Sequence, residues 1–235
     1  MRCLSAWLLW AGCQSAGPVE KPPRPPEDAE TVFRKLEKRL EEAKSVSAKF
    51  RLTIEAEAGT VSVQGGIRWK PGDRFDIRTD AEGSKDGETR SRTIRLTSDG
   101  KTLRSGEEKG RAPKGYGRLL AASMVRSGFF PVASGQLQFF PTKLSDDPTT
   151  PDEAIRVGGF AFGASEKVGG KECTVLEFDM EIERFVEPAA RVRLLLDPKT
   201  LLPVRLSYGS KGSKILVTFE EVSLDEIPDR EFEVK

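Results

Sequence analysis

The chain has 235 residues, 38 basic and 37 acidic side chains, a formal net charge of +1 and no histidine. This charge balance argues against nucleic acid as a partner and gives no electrostatic steering. The length suits one domain that buries a real core. The lack of histidine removes Ser-His and Cys-His nucleophilic pairs and the commonest zinc ligands.

Met1 and Arg2 form a short positive start, and Cys3 to Gly12 is mostly apolar, with Leu4, Trp7, Leu8, Leu9 and Trp10. Ala11-Gly12-Cys13 then reads as the end of a bacterial lipobox, in which Cys13 is the lipid-attachment residue and the new N-terminus. The alternative is an apolar N-terminus without that role. The stretch is too short to span a bilayer. With Cys3 removed and Cys13 acylated, Cys173 has no disulfide partner and is expected as a small buried residue in a strand, a Cys13–Cys173 disulfide being the rival reading. Residues 1–13 are therefore expected as a signal peptide and residues 14–28, with Pro18, Pro22, Pro23, Pro25 and Pro26, as an extended tether. Residues 29–235 are expected to form the folded domain.

Val32, Phe33, Leu36, Leu40 and Ala43 recur at helical spacing, preceded by the acidic Glu27-Asp28. This helix is expected to lie on a sheet. From Val46 to Ala58 every second residue is apolar, including Phe50, Leu52 and Ile54. After Gly59-Thr60 the alternation resumes through Ile67 and Trp69, and after Pro71-Gly72-Asp73 through Phe75 and Ile77. Period-two patterning with tight turns predicts antiparallel strands with one continuous apolar face. Residues 81–91 are polar and read as a loop. Thr93 to Thr97 reads as a short strand, with a hairpin at Ser98-Asp99-Gly100-Lys101. Residues 105–115 read as a second loop.

Tyr116 to Arg126 predicts a second helix. The run Gly128-Phe129-Phe130-Pro131, followed by Phe139-Phe140-Pro141, suits a plug or lid of aromatic loops over an apolar surface; ordinary core aromatics are the alternative. Strands resume at Ile155 and continue through hairpins at 167–171, 197–200 and 209–213 to Phe219. The class is thus α+β, dominated by an antiparallel sheet, with the N-terminal helix and mid-chain helices and loops covering its apolar face.

Positive signals for catalysis are weak. Ser98 and Lys101 have a Ser-x-x-Lys spacing, but Asp99-Gly100 makes this a hairpin turn and not a helix start. Glu177, Asp179, Glu181 and Glu183 share one face of a strand and permit acid/base work or calcium binding. The opposing Arg191 and Arg193 favour an ion-paired wet face. No enzyme activity, metal or cofactor is expected.

Several short motifs occur in a fixed order: Ala48-Lys49-Phe50; Gly66-Ile67-Arg68-Trp69-Lys70-Pro71 with Phe75; Ser98-Asp99-Gly100-Lys101-Thr102-Leu103; Leu202-Pro203-Val204-Arg205-Leu206; and Thr218-Phe219-Glu220-Glu221-Val222 with Phe232. In this order the chain resembles the outer-membrane lipoprotein carriers and receptors of the LolA/LolB family, over residues 30–104 and 190–235. The resemblance implies a strongly curved sheet, an incomplete barrel, whose mouth is closed by helices and whose hollow holds acyl chains. It also implies that Lys70, where the carrier has Arg, is the candidate for latching the lid; Lys lacks the planar fork of Arg. The expected ligand-binding residues are Phe50, Leu52, Ile67, Trp69, Phe75, Ile77, Phe129, Phe130 and Phe139. The expectation is a monomeric cell-envelope lipoprotein facing the periplasm, the outer membrane being favoured. Its partners would be a lipid or acylated lipoprotein and, through its N-terminal lipid, the membrane surface. The role would be lipid or lipoprotein transfer or sorting. A non-carrying sensing or scaffold module of the same fold is the alternative.

Overall fold

The computed structural model describes residues 27–57, 59–85, 88–130, 150–182, 189–210 and 212–234. Helix α1 (Ala29–Glu42) starts where Asp28 accepts a hydrogen bond from the Thr31 amide. This cap holds the Asp28 carboxyl below its ordinary range. Six strands follow: β1 (Val46–Ala56), β2 (Gly59–Lys70), β3 (Arg74–Lys85), β4 (Glu88–Asp99), β5 (Thr102–Ser105) and β6 (Glu108–Arg111). Then come α2 (Tyr116–Ser127) and a short α3 (Pro151–Ala154). The last six strands are β7 (Ile155–Phe162), β8 (Glu166–Val168), β9 (Lys171–Ile182), β10 (Ala190–Leu196), β11 (Pro203–Ser210) and β12 (Ser213–Ser223), and a 3-10 turn at Asp229–Phe232 ends the fold.

All twelve strands belong to one antiparallel sheet in the order β6-β5-β4-β3-β2-β1-β12-β11-β10-β9-β7, with β8 paired on β9. The end strands β6 and β7 do not pair with each other, so the sheet is an open half-barrel and not a closed one. The expected α+β class and curved sheet are what the fold contains. The two limbs meet at β1 and β12, where Phe50 lies opposite Phe219 and Leu52 opposite Val217.

Two expected loops are strands. Residues 81–85 and 88–91 continue β3 and β4 as one antiparallel ladder in which Ala81 pairs with Arg92 and Ser84 with Thr89. Its outer part is wet on nearly all sides, so backbone pairing continues where the apolar alternation that marks a strand in the sequence has stopped. Glu108–Arg111, in the second expected loop, is the edge strand β6, and all four of its residues are exposed. A short, charged edge of this kind discourages pairing with another chain.

The inner face holds most of the core. Helix α1 buries Val32, Phe33, Leu36 and Leu40 on the β7–β10 limb, where the Phe33 ring lies 4.9 Å from those of Phe160 and Phe178. Helix α2 packs beside α1 and reaches β2, β10 and β11. On the outer face Cys173 is buried with Val175 and Leu195 against Val168 and Val204. Burial pushes its thiol above the ordinary range, as suits an unreactive packing residue.

Candidate functional site

The inner face is built in rows across the strands. Phe219, Phe50, Gly65 and Thr79 form one row on β12, β1, β2 and β3. The next is Ala48, Ile67, Ile77 and Leu96, and below it lie Val46, Trp69, Phe75 and Ser98. Gly65 is required in its row: a Cβ there would lie 2.3 Å from the Arg78 carbonyl oxygen.

Helix α2 crosses this surface, held at both ends. At its N-terminus the cap residue Gly115 has no side chain, and Asp73 supplies the cap from the β2–β3 turn. Its carboxylate accepts from the Gly115 amide at 2.9 Å and the Gly117 amide at 3.1 Å. Asp73 has φ 59°, and its own carbonyl accepts from the Ser98 hydroxyl at 2.8 Å. Gly100, in the neighbouring hairpin tip, packs so closely that a Cβ would sit 2.3 Å from the Gly72 carbonyl oxygen. The Pro-Gly-Asp and Ser-Asp-Gly motifs are thus two interlocked hairpin tips that seat a helix. Ser98 and Lys101 serve this turn geometry and form no nucleophilic pair.

At the other end, Gly128 and Phe129 are both left-handed, at φ 62° each. The Phe129 amide donates back to the Ser123 carbonyl, and a Cβ on Gly128 would meet Val217 at 2.5 Å. The chain therefore turns down into the sheet. The Phe129 side chain, 0% exposed, enters a box of aromatic rings: Phe50 at 5.3 Å, Phe219 at 6.2 Å and Trp69 at 6.3 Å between centroids. A bulky residue with positive φ is a local strain of about 1–3 kcal/mol, maintained only by its surroundings.

A buried charge cluster clasps α2 to its neighbours. The Arg126 guanidinium, on α2, donates to Glu37 of α1 at 2.6 and 3.2 Å, to Asp152 of α3 at 2.7 Å, and to the Ile155 carbonyl. The Arg126 side chain is 4% exposed and that of Glu37 14%, so the fork is largely desolvated and its geometry matters. Arg34 adds a second contact to Glu37 at 3.0 Å.

Lys70 meets the C-terminal segment. Its ammonium donates to the Ile227 carbonyl at 2.8 Å and to Asp229 at 2.6 Å, and Arg74 approaches the other oxygen of Asp229 at 2.8 Å. Those two partners hold the Asp229 carboxyl below its ordinary range. Arg68 adds Glu231 at 2.9 Å and Asp76 at 2.8 Å. What Lys70 fastens among the described residues is thus the tail, whose Phe232 is buried.

Of the residues expected to line a ligand, Phe50, Leu52, Ile67, Trp69, Phe75, Ile77 and Phe129 share one inner face and are at most 3% exposed. They contact the protein's own helix and rings. Phe75, for instance, stacks on Tyr116 of α2 at 4.5 Å. Phe130 is half-buried beside Tyr208. Cys13 and Phe139 lie outside the described residues. A cleft of about 480 Å³ opens at the mouth, between the β2–β3 tip, the start of α2 and α3, and includes Trp69, Lys70, Asp73, Glu41, Arg118 and Pro151. Trp69 thus lies between this cleft and Phe129. The carboxylate row is ion-paired: Glu177 with Arg193 at 3.2 Å, Asp179 with Arg191 at 3.2 Å, Glu181 with Arg156 at 3.1 Å. Glu183 lies outside the described residues. Among the described residues no His, Cys, Asp or Glu cluster could hold a metal ion, and no helix is long and apolar enough to cross a membrane.

Sequence reasoning missed Phe219, Val217 and Tyr208 as inner-face partners and Asp73 as the helix cap. The first three alternate visibly in their strands, but pairing β12 with β1 is long-range, and no local pattern announces it. Asp73 caps a helix more than forty residues away along the chain, beyond any local capping signature.

No family model matches the chain, and no curated protein matches it. Solved structures do resemble it. The lipoprotein LppX of Mycobacterium tuberculosis is 14% identical at a TM-score of 0.41, the match covering 83% of this chain and 97% of that one. LprF of Mycobacterium bovis is 10% identical at a TM-score of 0.47, covering 83% and 92%. The LolA superfamily protein NE2245 of Nitrosomonas europaea is 11% identical at 0.33, covering 88% and 98%. The last bears the name of the family that the sequence motifs resemble. At TM-scores below 0.5 these likenesses carry no weight for what the chain binds, and the site's own geometry has to carry it.

Proposed function

We propose that this is a cell-envelope protein that takes an apolar acyl chain, of a lipid or an acylated lipoprotein, onto the inner face of its half-barrel. Its task on this reading is transfer or sorting of that cargo. The observation that carries the proposal is Phe129: a fully buried ring held at positive φ in an aromatic box, at the end of a helix pinned by caps and charges. The open sheet supplies an apolar wall, and withdrawal of the Gly128–Phe129 turn would expose Phe50, Trp69 and Phe219 to a guest. Each methylene then buried contributes on the order of 0.8 kcal/mol. In this reading Cys13 carries the lipid anchor and the domain faces the periplasm, with the outer membrane favoured by Gln14 after the anchor residue.

A second reading has its own support. The expected ligand wall is packed by the protein's own side chains, as in a rigid sensing or scaffold module. Native mass spectrometry of the full chain, gently extracted from membranes, separates the two. Co-purified lipid or acylated protein, lost on replacing Phe50 or Phe219 by a charged residue, supports the carrier. A bare protein that also refuses acyl probes supports the scaffold and rejects the carrier.

A further inference from the structure

Two hydroxyls on the inner face, Thr79 Oγ1 and Tyr208 Oη, are buried without a hydrogen-bond partner among the described residues. An unpaired buried polar group costs free energy and is uncommon in a folded protein. Tyr208 is the more informative. It lies on β11 between Val192 and Ile215, just past the end of α2, with Phe130 edge-on at 6.4 Å. Its row continues through Ile215, Ile54 and Val61, apolar throughout. The row passes from Tyr208, 7% exposed, to the rim, where Val61 is 36% exposed. Burial pushes the phenol well above its ordinary range, so Tyr208 is a neutral O–H donor near neutral pH. Thr79 lies on the other limb, its methyl turned toward Gly65, where no Cβ fits.

We propose that the row Tyr208, Ile215, Ile54 and Val61 is a seat for one acyl chain bearing an ester or amide carbonyl, and that the Tyr208 hydroxyl donates to that carbonyl. This rests on the acyl-binding reading above and adds to it the chemical class of the ligand. An acyl ester or amide has one acceptor on a long apolar body, and the row offers one donor in a long apolar track. A plain hydrocarbon would leave the hydroxyl unpaired and is selected against.

The test uses the full chain, methyl tetradecanoate labelled with carbon-13 at the carbonyl, and tetradecane. Binding is read by native mass spectrometry and the ester carbonyl band by infrared spectroscopy. The wild type should prefer the ester roughly five- to tenfold, the worth of one hydrogen bond, with the carbonyl band moved to lower wavenumber. Tyr208→Phe should bind both probes equally and restore the free band; Thr79→Val should behave as wild type. Equal binding by the wild type with an unshifted band overturns the Tyr208 assignment and leaves acyl binding standing. Loss of the shift in Thr79→Val but not in Tyr208→Phe overturns it as well. If neither probe binds, the acyl-binding reading itself falls. Should Tyr208→Phe fail to fold, the wild-type band alone decides.

Discussion

Gly128 and Phe129 carry opposite demands in adjacent positions. Gly128 must be left-handed and must lack a Cβ, because Val217 occupies that space. Phe129 is left-handed despite its ring, and the aromatic box compensates. Gly128→Ala should therefore lower stability by about 2 kcal/mol or more, through backbone strain and a clash with the sheet, and a urea titration with unchanged m-value would check this. Phe129→Ala keeps the strain and loses the ring, so it should cost about 3 kcal/mol. On the acyl-binding reading it should nevertheless bind an acyl probe more tightly than wild type, because less packing has to be displaced. Lower stability with unchanged affinity would confine Phe129 to a packing role. That Phe129 and Phe130 leave the regular strand pattern was legible in the sequence from the Gly and Pro that flank them. Which ring enters the core was not, because that depends on the turn at Gly128 meeting Val217, a contact between residues far apart in the chain.

Helix α2 depends on side chains that lie outside it. Asp73 caps it from a hairpin tip and Glu37 clasps it from α1. Asp73→Ala should cost about 1–2 kcal/mol, part cap and part left-handed backbone, and Asp73→Asn less. Arg126→Met leaves the part-buried Glu37 with Arg34 as its remaining cation and should cost about 2–3 kcal/mol; with Glu37→Met as the other single variant, the double variant Arg126→Met/Glu37→Met should recover much of that. Thermal melts of the four proteins close the cycle. The C-terminal strap behaves differently because its charges are exposed. Lys70 and Arg74 lower the Asp229 pKa in the folded protein, so the strap's contribution is present above the ordinary carboxylate range and is lost as pH falls through the lowered value. Melting temperatures of wild type and Asp229→Asn should differ near neutral pH and converge in acid; a constant difference would mean that the carboxylate is not titrating against its cations. Helices α1 and α2 were legible from their apolar spacing. Lys70 as an ion-pairing residue was legible only as a motif position, and its partner, the tail, appeared only with the fold.

At the scale of the molecule, the sheet is a long meander that stays open because its two edge strands, β6 and β7, do not pair. The first limb was readable where one face is greasy, from Val46 to Ile77. It was misread beyond Ala81, where most side chains are exposed and the strands are carried on chiefly by main-chain pairing. That the inner face is apolar could be read residue by residue. That mid-chain helices cover it was expected from the sequence; that the Phe129 ring is the one fully buried against Phe50 was not, because this depends on how deeply a helix end sinks between the limbs. On the acyl-binding reading, α2 and Phe129 fill the half-barrel in place of a guest and yield to it. Hydrogen exchange of residues 116–130 in the full chain, with and without methyl tetradecanoate, tests this most directly. Faster exchange at the C-terminal turn of α2 on binding, with β1, β2 and β12 becoming more protected, is the predicted result; binding that leaves α2 exchange unchanged, or no binding at all, would contradict it.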